Sequence, residues 1–95
     1  MTTYALAQIR IHDRARYGAY VAGFMEVLLR YEGRLLVADE APEVVEGEWP
    51  YDKVILMAFR DRGAFEAWAS SPEYREISKD RIAATTGVVI VAKGV

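Results

Sequence analysis

His12 is the lone histidine in a chain of 95 residues. An imidazole titrates near neutral pH, so at the mouth of a cleft it could carry a proton or bind a metal, while on a surface loop it does neither. Tyr74 and Arg81 stand seven residues apart, about two helical turns, so a phenol and a guanidinium can share one helix face. That pair suits a carboxylate or enolate ligand. The competing reading pairs Arg81 with acids of the chain itself, near Asp80 or Glu73. Tyr17, Tyr20 and Tyr31, with Trp68 and Tyr74 further on, either fill the core or wall an aromatic pocket whose hydroxyls hold a polar substrate group. Trp49-Pro50 makes a rigid turn with a large ring, which either caps the structure or lids a pocket. The candidates are therefore His12 and Arg81 for catalysis, and Tyr17, Tyr20, Trp49 and Tyr74 for ligand binding.

Other chemistries fall away. Without cysteine there is no disulfide, thiolate nucleophile or cysteine metal site. A structural metal site is not expected, because no second His or Cys completes one. No Ser-His-Asp set and no glycine-rich phosphate loop is readable. A net charge of −2 and a pI near 5.4 argue against a nucleic-acid partner, which calls for a basic stripe. No stretch reaches the length of a membrane span, and no signal peptide is visible at the N-terminus. The expectation is a cytoplasmic protein with no nucleic-acid or membrane partner. Any reaction would run on acid/base and hydrogen-bonding side chains, with no cofactor.

The length fits one domain covering residues 1–95. Residues 4–11 alternate, with Ala5, Ala7, Ile9 and Ile11 on one face; small residues there either admit a close helix or leave room for a ligand. Asp13 is an N-cap for a helix to about Tyr31, with an apolar stripe from Tyr17 through Phe24 to Leu28. Gly33 reads as its C-cap glycine. Strands follow at 34–38 and 53–60, joined by a turn-rich connection with a short extra strand at 43–46. Residues 61–69 form a short helix burying Phe65 and Trp68. Ser70-Ser71-Pro72-Glu73 starts another, to about Ala83. Residues 85–93 are the last strand. This order is α+β: an antiparallel sheet with helices on one side.

Helices on one side leave the other side bare, where strands should alternate apolar and polar. Val54, Leu56 and Ala58 alternate instead with Ile55, Met57 and Phe59, and the last strand carries valine and isoleucine on both faces. Each large aliphatic side chain gains roughly 1.5–3 kcal/mol on burial, so a homodimer packed sheet to sheet is expected. The alternative is central strands shielded by loops.

Three stretches, YEGRLLVADE at 31–40, EGEWP at 46–50 and SSPEYREISKDR at 70–81, give the chain a resemblance along its whole length. It resembles the domain-of-unknown-function family 1330, within the dimeric α/β-barrel superfamily of ferredoxin-like folds. Gly18 and Gly23 depart from it by loosening the first helix. The resemblance implies a β-α-β-β-α-β protomer and a dimeric barrel. It supplies no activity: the wider superfamily holds cofactor-independent monooxygenases, haem-degrading enzymes, muconolactone isomerase and chlorite dismutase, beside members without known chemistry. Two functions stand as expectations. One is a small organic molecule bound or transformed in a cleft between helices and sheet, with His12 as proton carrier and Arg81 stabilising negative charge. The other is a non-catalytic homodimeric module.

Overall fold

Capping residues set where each helix begins. In the computed structural model, which describes Met1 to Val95, the Asp13 carboxylate accepts the Arg16 N–H at 3.0 Å and starts α1, Arg14–Arg30. Asp61 accepts from Ala64 at 2.8 Å and starts α2, Arg62–Ala69. Ser71 accepts from Tyr74 at 3.0 Å and, with Pro72 in the first turn, starts α3, Pro72–Ala84. Each cap satisfies a backbone donor that has no partner inside its helix.

The strands are β1 Thr3–Ile11, β2 Arg34–Asp39, β3 Lys53–Phe59 and β4 Thr85–Lys93. They form one antiparallel sheet in the order β2-β3-β1-β4. Two split β-α-β units interleave in that order, so both helical layers fall on one side of the sheet. The register gives each residue its face. Ala5, Ala7 and Ile9 look toward the helices and are buried. Ala7 pairs with Ile55 on one side and Val89 on the other, and Ile55 pairs onward with Ala38. The opposite face carries Leu6, paired with Leu56 and Ile90, and Gln8, paired with Val54 and Val88. Leu36 is the extra residue of a bulge between Leu35 and Val37.

The core lies between helices and sheet. Phe59, 1% exposed, meets Phe65 and Trp68 at centroid distances of 5.5 and 5.4 Å. The two long helices run antiparallel, as Arg16 of α1 meets Asp80 and Arg30 meets Glu73 of α3. Gly23 permits this approach: a Cβ there would lie 3.1 Å from the Ile77 side chain.

Two local expectations are corrected. Gly33 does not supply the left-handed residue that ends α1; Glu32 does, with φ 61°. Glu32 N–H donates to Leu29 and Gly33 N–H to Leu28, a Schellman pattern with glutamate in the position glycine prefers. Gly33 is needed for space, since a Cβ would sit 2.3 Å from Leu28 Cδ1 and 2.8 Å from Phe59 Cε1. Glu32→Gly is expected to raise stability by about 0.5–1 kcal/mol, because glycine adopts this backbone without the steric cost. The exposed Glu32–Arg60 ion pair that it removes is worth little. The check is a urea midpoint that rises at constant slope; an unchanged midpoint would count against the strain.

The second correction concerns 43–46, which form no strand. The segment after β2 is instead tied across the end of β1. Asp52 N–H donates to the Ile9 carbonyl at 2.7 Å, Ile11 N–H donates to the Asp52 carboxylate at 2.8 Å, and Arg10 donates to the Pro50 carbonyl. Val45, in the stretch between β2 and these bonds, is 86% exposed.

Candidate functional site

Between the helices and the sheet lies a cleft of about 360 Å³, within the range of small-molecule sites. Its floor is the register row Ala38, Ile55, Ala7 and Val89, which crosses the sheet from edge to edge. Ala7 makes the space at the centre of that row. Ala5, one pleat along, is fully buried and does not line the cleft. The two meanings of small residues on β1 are thus divided between two alanines.

The roof is aromatic. α1 supplies Tyr17, Tyr20 and Phe24, α2 supplies Phe65 and Trp68, and α3 supplies Tyr74. The Tyr20 and Tyr74 hydroxyls meet at 2.9 Å, and Trp68 lies over Tyr74 with centroids 4.0 Å apart. Burial pushes the Tyr20 phenol far above its ordinary range, and the neighbouring Tyr74 acts in the same direction, against a smaller opposing pull from Arg81. Tyr20 is therefore a neutral hydrogen-bonding group and not a phenolate base.

Arg81 lines the cleft, and its Nε is buried without a hydrogen-bond partner. The acids offered as partners by sequence are engaged elsewhere. Asp80 holds Arg16 at 2.9 Å, while Glu73 holds Arg30 and accepts from the Tyr31 hydroxyl at 3.0 Å. Glu73 is held below the usual carboxylate range, first by a backbone hydrogen bond and then by Tyr31. Tyr31 is thereby committed to this surface group and does not line the cleft.

The structure brings Tyr17, Tyr20, Tyr74 and Arg81 together. It does not bring His12 or Trp49. His12 is exposed where β1 passes into α1, with its backbone N–H on the Ala84 carbonyl at 2.9 Å, and it is not part of the cleft wall. Trp49 lies on the far side of the sheet, its indole N–H donating to Gln8 Oε1 at 2.8 Å and its ring edge-on to Tyr51. Sequence reasoning passed over Lys53. This lysine lines the cleft with its ammonium 5.0 Å from the Tyr17 ring centroid. The signal was its place in β3: two residues before Ile55 and four before Met57, it must share their face.

The fold defines a class: an α+β, ferredoxin-like protein with an apolar cleft under its helices. The chain belongs to the family of the domain of unknown function DUF1330, whose model matches residues 2–95. No curated protein sequence matches it. Among solved structures it is similar to the RPA0582 protein of unknown function from Rhodopseudomonas palustris, at TM-score 0.84 and 21% identity over 99% of this chain and 82% of that one. It is similar to SnoaB from Streptomyces nogalater, a cofactor-independent oxygenase, at TM-score 0.73 and 13% identity over 99% and 93% of the two chains. It is also similar to a dimeric protein of unknown function and ferredoxin-like fold from Bacteroides fragilis, at TM-score 0.68 and 8% identity over 98% and 96%. These likenesses are of fold. No helix is long and apolar enough to cross a membrane.

Proposed function

We propose that the protein is a homodimer in which each subunit binds, and acts on, a small organic molecule in the cleft under its helices. The observation that carries this reading is the cleft itself: roofed by aromatic rings, opened by Ala7 and furnished with an unpartnered guanidinium. A protein that needed this layer only for packing would gain by filling the space. SnoaB, described as a cofactor-independent oxygenase, supports chemistry without a cofactor in this architecture. Within the cleft, Tyr74 and Arg81 are the groups placed to hold a polar substrate atom and to stabilise negative charge. His12 stands outside it and is not placed to carry a proton within it.

The dimer rests on the bare face. Leu6, Val54, Leu56, Val88 and Ile90 form an apolar surface there, with Ile90 51% and Val88 43% exposed in the single chain. The dimeric description of the Bacteroides fragilis relative supports a second copy as its cover. The same face equally supports a dimer with no ligand, and one titration separates the two readings. The neutral fluorophore N-phenyl-naphthylamine is expected to bind once per subunit. Ala7→Phe, which fills the floor of the cleft, is expected to abolish that binding while leaving the protein folded and dimeric by native mass spectrometry. Equal binding by both proteins would move the probe elsewhere, and a dimer that takes up no probe would favour the purely structural module.

A further inference from the structure

The cleft has two unlike ends. Arg16 of α1 meets Asp80 of α3, so Arg81 lies near the start of α1, where Tyr17 also sits. Lys53 approaches that Tyr17 ring from the sheet, and Lys53 pairs in register with Ile9. Both cations therefore stand at the end of the cleft marked by Ile9 and Tyr17. Neither takes part in an ion pair, and no carboxylate lines the cleft. The other end, from Phe24 and Met25 to Leu35, Met57 and Phe65, carries no titratable group. Tyr20 and Tyr74 stand between the ends, their hydroxyls bonded to each other, which leaves one O–H free to donate to a ligand.

A cation held against an apolar wall with no counter-charge leaves electrostatic stabilisation unused. A guanidinium with a buried, unsatisfied Nε has a further reason to take an acceptor. We infer that the cleft is built for an organic anion with a planar apolar body, its oxyanion on Arg81 and Lys53 and its ring system over Ala7 toward Phe24 and Met57. Aryl carboxylates and delocalised enolates share this chemistry. The inference rests on the cleft being a ligand site and adds the charge and direction of the ligand.

Naphthoate and naphthamide test it, because they share a ring body and differ in charge at the head. Calorimetric titration of the wild-type dimer is expected to show naphthoate binding about tenfold or more tightly than naphthamide. Arg81→Gln and Lys53→Gln are each expected to weaken naphthoate by about tenfold or more, and to leave naphthamide within about twofold. Lys53 is only partly buried, so its variant keeps the test open should Arg81→Gln fail to fold. Equal affinities for the two probes, or naphthoate affinity indifferent to both substitutions, would overturn the anion assignment and leave the cleft a site for neutral ligands. If neither probe binds the wild-type protein, the reading of the cleft as a ligand site falls, and the anion with it.

Discussion

Ile90→Asp is expected to separate the proposed dimer into folded monomers, whereas Val89→Asp, one residue away, is expected to leave it dimeric. The two side chains lie on opposite faces of β4. Ile90 pairs with Leu6 on the bare face, and Val89 pairs with Ala7 on the floor of the cleft. A two-fold interface repeats every substitution, so Ile90→Asp places two carboxylates in one apolar seam. Removing a charge from water without a partner costs several kcal/mol, so the dissociation constant should rise by about a thousandfold or more. Val89 is 50% exposed in the single chain, and a carboxylate there can reach water while it spoils the cleft. Sedimentation of both variants, with probe titration of the second, reads both effects. Dimers from Ile90→Asp would place the interface elsewhere, and monomers from both variants would mean that the faces of β4 are wrongly assigned.

The second large effect belongs to Gly87. A Cβ at this position would meet the Gln8 carbonyl oxygen at 2.1 Å and Ile9 Cα at 2.8 Å. Those atoms are main chain of the strand to which β4 is bonded, and no rotamer change can move them aside. Gly87→Ala is therefore expected to cost about 3 kcal/mol, at the upper end for an overpacked site, and to loosen the pairing of Ile9, Arg10 and Ile11 with Gly87, Thr86 and Thr85. Gly18 is the control. A Cβ there meets nothing within 4 Å, and alanine in an open helix interior should stabilise by about 0.5–1 kcal/mol. Urea unfolding and amide exchange along β4 distinguish the cases. A loss at Gly87→Ala no larger than about 1 kcal/mol would mean that the two strands can part cheaply.

Most of the fold is legible because it follows from local chemistry. Asp13, and Ser71 with Pro72, announce helix starts through side chains that act on their own neighbours. The alternation of Ala5, Ala7 and Ile9 gives β1 a face without reference to anything distant. Legibility fails where a residue's role depends on what the fold brings to it. Gly33 is a glycine because Leu28 and Phe59 crowd it, not because the helix ends there, and the left-handed turn fell to a glutamate that no propensity would nominate. The site follows the same rule. Tyr17, Tyr20, Tyr74 and Arg81 were readable because helical spacing places the first two on the α1 stripe and Tyr74 in phase with Arg81. His12 is a candidate by its type and its place at the strand–helix junction, and Trp49 by its rigid turn, but the fold leaves the first in the open and carries the second behind the sheet. Lys53 was overlooked although its phase in β3 was available, since a lysine at the start of a strand reads as an end rather than as part of a face.

The hydrogen bond from Trp49 to Gln8 has a practical side. The chain has two tryptophans; Trp49 rests against the bare face of the sheet and Trp68 stands in the roof of the cleft. The sheet thus keeps two natural fluorophores on separate sides, one on the face proposed to meet a second copy and the other in the roof of the proposed ligand site. With Trp49→Phe and Trp68→Phe, the emission of a single indole reports assembly or occupancy alone. Whether filling the cleft alters the strength of the dimer then becomes a question that two cuvettes can answer.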